Sequence, residues 1–264
     1  MLVPASPPAV PDDVTLAVEA DHWVAALKGG LAALGAVQPI SNVLCDVQPD
    51  GAIHVTDARG GGVFRIRELP DAPAAARSVP PPARPLPRAG RAPPSPVRPD
   101  DVLAELFERV GGLERQGDRA SGLGFLLELA MEKTDGEAGS VFLSRLGGRE
   151  LEFAVVRGPR SREIQRLGLS VPAGHGIVGF CVREDVALAV SDPERDPRFH
   201  RAVSQAIGYG TRSLLCAPIA RRGVVLGALE VLNKRGGRPF DAVDLAVVGY
   251  LAHQAAALLA RLDG

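Results

Sequence analysis

The sequence predicts an α+β fold in which a small N-terminal module and a larger C-terminal module are joined by a proline-rich linker. Of the 23 prolines, 11 fall between residues 70 and 99. Apolar residues recur at helical spacing in four segments, and short runs typical of strands are joined by glycine turns, as in hairpins. We therefore divide the chain into residues 12–69, 70–99 and 100–264.

The composition excludes several classes of protein. With 30 Lys and Arg against 31 Asp and Glu, the chain lacks the basic excess that phosphate binding requires, so we expect no nucleic-acid partner. Cys45, Cys181 and Cys216 are widely separated and no zinc-ligand spacing occurs, so we predict no metal site. The start shows no signal-peptide pattern, and the uncharged stretch Leu245–Ala260 is too short to span a bilayer. We expect a cytoplasmic protein without a membrane partner.

The N-terminal module, residues 12–69, predicts a β-α-β-β-β order. Apolar and polar residues alternate over 14–18, apolar residues at 3-4-3 spacing predict a helix over 24–34, and alternation returns over 43–47, 53–55 and 64–66. Nothing in this module indicates a function.

The linker, residues 70–99, cannot form a helix or a central strand, because each proline fixes φ and removes a backbone donor. It carries five arginines against the single acid Asp71, which predicts an extended, solvated spacer. A docking strip for a proline-binding or acidic protein partner is the alternative.

The C-terminal module, residues 100–264, alternates helices with hairpins. We predict helices over 101–113, over 119–134 and from Asp241 to the end. A glycine-punctuated turn at 174–183 leads into a short helix. Strands are predicted over 140–146, 151–157, 187–191, 212–219 and 224–233.

The last helix carries a heptad seam. Its apolar residues step by three and four and comprise Leu245, Val248, Ala252, Ala255, Leu259 and Leu262. Such spacing is typical of helices that pair, so we predict a homodimer through the terminal helices 101–113 and 241–262.

From about Gly174 onward the sequence resembles a GAF domain. The matching strings are VPAGHGIVGFCVRED, VALAVSDPERDPRF, GYGTRSLLCAPIARRGVVLGALEVLNKRGG and RPFDAVDLAVVGYLAHQAAALLARL, which follow one another in the family's order. Residues 119–160 match the family's opening helix and first hairpin more loosely. The resemblance implies an antiparallel sheet of about six strands with helices on both faces, related to the PAS fold. It also implies a regulatory module that binds a small molecule or a protein.

One motif resembles the Asn-Lys-Phe-Asp-Glu signature of GAF domains that bind cyclic nucleotides. Asn233, Lys234, Phe240 and Asp244 match it, whereas Leu245 stands where the glutamate is expected. A lysine at the end of a strand can pair with an aspartate of the next helix. We therefore interpret these four residues as a structural lock beside the pocket.

The resemblance also places candidate ligand contacts between the sheet and its covering loops. Asp192 could accept hydrogen bonds, Ser213 could donate one and Phe199 could stack on a ring. A turn cap before Pro193 is the alternative for Asp192, and core packing is the alternative for Phe199. The predicted set consists of Ser191, Asp192, Phe199, Ser213, Ile177 and Phe153.

Two cysteines offer the alternative of catalysis. Some GAF-fold enzymes reduce free methionine sulfoxide with cysteines near Cys181 and Cys216, but Cys216 lies in an apolar strand and no neighbouring cation is evident. We predict no catalytic residue and a sensory protein that binds a small molecule, for which a cyclic nucleotide is one candidate, or a protein partner. The alternatives are a thiol-based enzyme and a ligandless dimerisation scaffold, and the sequence names no cofactor.

Overall fold

The computed structural model describes residues 14–35, 40–68, 99–145 and 148–262. Apart from Pro99, the predicted linker 70–99 lies outside these ranges. The chain divides into two compact units, one formed by residues 1–39 and 66–94 and the other by residues 40–65 and 95–264.

The first unit contributes one helix, α1 (Trp23–Ala33), to the described residues. The His22 side chain caps it by accepting a hydrogen bond from the Ala25 backbone N–H at 3.2 Å. The predicted strand over 14–18 is wrong, because these residues have no regular structure and pair with no strand in the described ranges. Val14, Leu16 and Val18 remain 38–43% exposed, so their alternation with polar residues marks no buried face.

The second unit is built on a nine-stranded sheet. Its strands lie side by side in the order β3-β2-β1-β7-β8-β9-β4-β5-β6. They are β1 (Asn42–Val47), β2 (Ile53–Asp57), β3 (Val63–Ile66), β4 (Gly136–Arg145), β5 (Glu150–Arg157), β6 (Ser170–Pro172), β7 (Ala187–Val190), β8 (Leu214–Arg221) and β9 (Val224–Lys234).

The predicted antiparallel sheet of six strands is therefore wrong in number and in direction, although the α+β class is confirmed. Strand β1 pairs with β7 in parallel, from Asn42 opposite Ala187 to Cys45 opposite Val190. The pairs β1–β2, β4–β5, β4–β9, β5–β6, β7–β8 and β8–β9 are antiparallel. Alternation in a sequence shows which residues are half-buried, but it does not show which strand lies alongside. The strands assigned to a separate N-terminal module thus extend the sheet of the C-terminal one.

The helices of this unit cover both faces of the sheet. One face carries α3 (Arg119–Thr134) and α7 (Ala242–Leu262), with α2 (Pro99–Val110) packed on α7, and the other carries α4 (Ser161–Leu167), α5 (Gly176–Glu184) and α6 (Arg201–Ile207). The predicted helix over 101–113 ends as an α-helix at Val110 and continues as a 3-10 turn, because Gly111 and Gly112 weaken helical propagation. The sequence did not predict α4, α6 or β6.

The seam of α7 faces the core of its own chain. The residues Leu245, Val248, Ala252, Ala255 and Leu259 are at most 3% exposed and belong to the cluster formed with α3 and the sheet. The proposed pairing of protomers through this seam is therefore wrong, whereas a homodimer as such stays a prediction. Helix α7 is also long and apolar enough to span a bilayer, but 56% of its most apolar window is buried in the protein.

Candidate functional site

A cavity of about 90 Å³ lies between the sheet and the layer of α4, α5 and α6. Strand alternation creates it, because Val141 faces the core beneath α3 and α7 whereas Ser140 and Phe142 face the opposite side. The apolar part of the lining comes from both the strands and the helices. It includes Phe142, Phe153, Val156, Ile164, Val171, Ile177, Val178, Phe199, Val203, Ile207, Leu214 and Leu232.

Two polar side chains stand on the floor of this cavity. Glu230 of β9 lies directly opposite Ser140 of β4 in the register, and both line the cavity while only 8% and 4% of these residues are exposed. No described residue forms a hydrogen bond or ion pair with the Glu230 carboxyl group. Burial raises the pKa of Glu230 to about 8, so the group holds a proton at neutral pH.

The arginines at the cavity are neutralised elsewhere. Arg157 Nε lies 2.7 Å from a Glu128 carboxylate oxygen, and Arg160 Nη1 lies 3.1 Å from a Glu163 carboxylate oxygen. Neither forms an ion pair with Glu230, which therefore remains the one uncompensated carboxyl group among the described lining residues.

A buried ion pair shapes the loop that closes one side of the cavity. The fully buried Asp196 carboxylate accepts hydrogen bonds from the Arg198 backbone N–H at 2.9 Å and from Arg198 Nε at 2.8 Å. The Arg198 guanidinium lies 4.5 Å from the centroid of the Phe180 ring in α5. These contacts fix the backbone that carries Phe199 and His200, which both line the cavity.

The structure brings three of the predicted ligand residues to the cavity, namely Ile177, Phe153 and Phe199. The other three lie outside its lining, which corrects the predicted set. The Ser191 hydroxyl donates to Asp46 at 2.7 Å, and Asp192 forms an exposed ion pair with Arg195 at 3.2 Å. Both follow β7, which lies beyond the strands that form the floor. The Ser213 hydroxyl accepts a hydrogen bond from the Lys234 backbone N–H at 3.0 Å and is thereby engaged in the strand junction.

The four residues of the predicted lock are in contact with one another or with the neighbouring loop. Lys234 and Asp244 form an ion pair, and Lys234 Nζ lies 5.9 Å from the Phe240 ring centroid. Asn233 adopts a positive φ of 57°. Its side-chain oxygen accepts from the Arg212 backbone N–H at 2.7 Å, and its Nδ2 donates to the Gly210 carbonyl at 3.0 Å.

The surroundings of Cys45 and Cys216 disfavour the thiolate. All three cysteines are free and buried. Burial is the main cause that raises the pKa of Cys45 to about 12 and raises the pKa of Cys216 well above its usual value. Among the described residues, no group of three or more His, Cys, Asp or Glu side chains could hold a metal ion.

Sequence reasoning missed the polar residues of the cavity, Glu230, Ser140 and Tyr209. The Tyr209 hydroxyl is buried in the wall and has no hydrogen-bond partner within the described residues. A usable signal was present for Glu230, because it is the one charged residue inside the apolar run from Val224 to Leu232. A carboxyl group in the middle of a strand that is buried on both faces is costly unless a partner or ligand meets it.

A family model described as the GAF domain matches residues 124–259, just over half of the chain. The chain belongs to the GAF domain family. The resemblance found in the sequence is thus confirmed, and the cavity lies within the matched GAF segment.

One curated relative of this GAF protein is a probable 3′,5′-cyclic phosphodiesterase of Caenorhabditis elegans. The two are 36% identical over 62 residues, which is 24% of this chain and 8% of the relative. The chain therefore spans less than a tenth of the length of that relative.

Solved GAF structures share the fold. The GAF domain of a phosphoenolpyruvate-protein phosphotransferase from Coxiella burnetii aligns with a TM-score of 0.56 and 18% identity, covering 63% of this chain and 97% of that chain. The free methionine-R-sulfoxide reductase of Neisseria meningitidis, solved with its substrate, aligns with a TM-score of 0.51 and 18% identity over 64% of this chain and 96% of that one. At these identities the comparison shows the fold alone.

Proposed function

We propose that this chain is a non-catalytic sensory or regulatory protein whose GAF domain binds a small molecule in the cavity above β4 and β9. The observation that carries the proposal is the Glu230 carboxyl group, which is nine-tenths buried, lines the cavity and has no partner among the described residues. An unsatisfied buried polar group destabilises the empty protein, and a ligand that bonds to it recovers that free energy.

A cyclic nucleotide is one candidate ligand, and the phosphodiesterase relative supports it. The size of the cavity argues for something smaller. Pockets for drug-sized ligands measure about 300–1,000 Å³, whereas this cavity measures about 90 Å³. A nucleotide would therefore require α6 and the loop before it to move outward.

A ligand screen with a filled-cavity variant tests the proposal. Thermal unfolding would be followed against cyclic nucleotides, haem, bilins, amino acids and short-chain amines, and each hit would be confirmed by calorimetry. Val203 of α6 lines the cavity, so Val203→Phe should abolish binding, whereas Ala202→Phe on the exposed side of the same helix should preserve it. The proposal fails if no ligand binds or if both variants bind equally well. The first outcome would favour a ligandless scaffold.

A thiol-based reductase is the second candidate. It is favoured by the likeness to the methionine sulfoxide reductase fold and by the proximity of Cys181 to Cys216, although that proximity raises the pKa of Cys216. The burial of all three cysteines argues against it. We expect the native thiols to react with an aromatic disulfide reagent no faster than the protein unfolds. A cysteine introduced by Ala257→Cys, at an exposed position of α7, should react at once. Rapid native labelling together with reduction of methionine sulfoxide would establish the enzyme instead.

Cytoplasmic location and self-association are further parts of the proposal. Three buried free thiols suit a reducing compartment. Because the α7 seam is internal, a homodimer would need another surface, and Phe107 of α2 offers one: it is 61% exposed and its ring lies 4.9 Å from that of Tyr250. Sedimentation of the parent and of Phe107→Ser would show a loss of dimer if this surface is used, and unchanged masses would exclude it.

A further inference from the structure

We infer that the cavity selects a small organic cation, a short alkylammonium ion, which pairs with Glu230 on its floor. The inference rests on the proposed small-molecule function and adds the charge and the size of the ligand. It follows from the distribution of charge, from the aromatic walls and from the volume of the cavity.

The charge inside the cavity is one-sided. Arg157 and Arg160 reach the lining but are each paired with a carboxylate outside it. The groups around Glu230 are Ser140 opposite it on β4 and Cys216 opposite it on β8, and the other titratable side chains lining the cavity are His200 and Tyr209. None of them forms an ion pair with Glu230, so the cavity presents a carboxyl group without a counter-charge.

Aromatic rings line the same cavity as this carboxyl group. Phe142 and Phe153 form a tilted pair with centroids 4.4 Å apart, and Phe199 and Tyr209 also line the cavity. The faces of such rings attract cations, particularly where water is excluded. A carboxyl group combined with several aromatic rings is a favourable environment for an ammonium group and an apolar environment for its alkyl chain.

The preference for a cation can be measured through the proton that Glu230 carries in the unbound protein. The carboxyl group is mostly neutral at pH 7 because burial raises its pKa to about 8. An ammonium ligand stabilises the ionised form through an ion pair in surroundings of low dielectric constant. Binding should therefore release a proton, about 0.9 per ligand at pH 7 by linkage from that pKa. An anionic ligand would meet a like charge or a neutral acid and gains no such pair.

The volume limits the size of the ligand. An apolar cavity of about 150 Å³ accommodates benzene, and this cavity is smaller, at about 90 Å³. We therefore choose probes with a four-carbon or five-carbon branched body, for which cationic, neutral and anionic forms of similar shape exist.

The experiment compares isobutylammonium, isobutanol and isovalerate by titration calorimetry on the full chain at pH 7. Each titration is repeated in phosphate and in HEPES, whose ionisation enthalpies differ, so that released protons are counted without a primary ammonium ion in the buffer. We expect isobutylammonium to bind about tenfold or more tightly than the other two probes, with release of nearly one proton. Its apparent affinity should rise with pH up to about 8 and level off above that value, where Glu230 is ionised before the ligand binds.

Two variants separate the role of Glu230 from a general effect. Glu230→Gln keeps the shape of the side chain and should abolish both the preference for the cation and the proton release. Glu152→Gln on β5, outside the cavity lining, should leave both unchanged. Because Glu230→Gln preserves hydrogen-bonding capacity, it is also expected to fold.

The outcomes distinguish this inference from the broader proposal. If isobutanol or isovalerate binds as tightly as the amine, and Val203→Phe abolishes that binding, the cavity is a ligand site but the selection of cations is overturned. If the amine binds with no proton release, or equally well to Glu230→Gln, pairing with Glu230 is overturned. If none of the probes binds at millimolar concentration, the inference fails, and the wider screen decides separately whether the cavity takes any ligand.

Discussion

Lys234 at the end of β9 and Asp244 in the first turn of α7 form an ion pair in which only 11% and 7% of the two side chains are exposed. Asp244 also accepts a hydrogen bond from the Asp241 backbone N–H at 2.8 Å. Burial is the largest influence on the Asp244 carboxyl group and raises its pKa, while Lys234 acts in the opposite direction. The pair thus attaches the last helix to the sheet at considerable desolvation cost.

Replacing Lys234 by methionine should destabilise the protein by about 3 kcal/mol, because it leaves a buried carboxylate without its cation. Urea denaturation would measure the change. The matched control is Arg145→Met, which breaks the exposed pair with Glu152 and should change the free energy of unfolding by less than about 1 kcal/mol. If the two variants lose equal free energies of unfolding, the buried pair contributes no more to stability than the exposed one, which would contradict this prediction.

Replacing Glu230 by glutamine should change how stability depends on pH. The pKa of the Glu230 carboxyl group is about 8 in the folded protein against 4.5 in the unfolded chain, so between these pH values the folded state binds more protons. The free energy of unfolding of the parent should therefore fall as pH rises through this window, by about 5 kcal/mol from this group. Glu230→Gln should lack that component.

The measurement is a series of urea denaturations from acid to mildly alkaline pH. The difference in stability between Glu230→Gln and the parent should grow with pH and become constant above about pH 8. Glu152→Gln reports any general effect of removing a carboxyl group. Parallel curves for the parent and Glu230→Gln would mean that Glu230 is ionised in the folded protein.

Gly227 of β9 is required by a close approach between strands. A Cβ atom at this position would lie 2.0 Å from the Phe142 carbonyl oxygen, so Gly227→Ala must displace the β4–β9 backbone beside the cavity. We expect a loss of at least about 2 kcal/mol. A Cβ atom added at Gly249 of α7 would meet no neighbouring atom within 4 Å. Gly249→Ala should therefore stabilise the protein by roughly 0.5–1 kcal/mol. Thermal unfolding of both variants checks the pair, and a harmless Gly227→Ala would contradict the close approach.

Local elements were predictable because their signals are local. Helix α3 begins and ends at the predicted residues, 119 and 134, and its start is fixed by Asp118, whose side chain accepts from the Ser121 backbone N–H at 3.0 Å. The hairpins of the C-terminal module were likewise located to within a few residues, because alternating runs end at glycine turns.

Long-range relationships were not predictable from the same patterns. The heptad spacing of α7 is identical for a helix that pairs with a second copy and for one that packs on its own sheet, and Ala252 and Ala255 proved to be fully buried within the chain. In the same way, period-two alternation places Glu230 and Leu232 on one face of β9 but does not show that this face borders a cavity. The cavity is enclosed only because α4, α5 and α6 pack over this face of the sheet.

The parallel pairing of β1 with β7 limits which fragments of this protein can be expressed as stable units. The Ala187 backbone N–H donates to the Ser41 carbonyl at 2.8 Å, and the Ser191 N–H donates to the Cys45 carbonyl at 3.3 Å. A fragment that begins at residue 100 would lack β1. The edge of β7 would then be an apolar strand with unpaired backbone donors and acceptors, which is a template for aggregation. Recombinant work on the GAF region should therefore retain residues 40–65 together with the C-terminal segment.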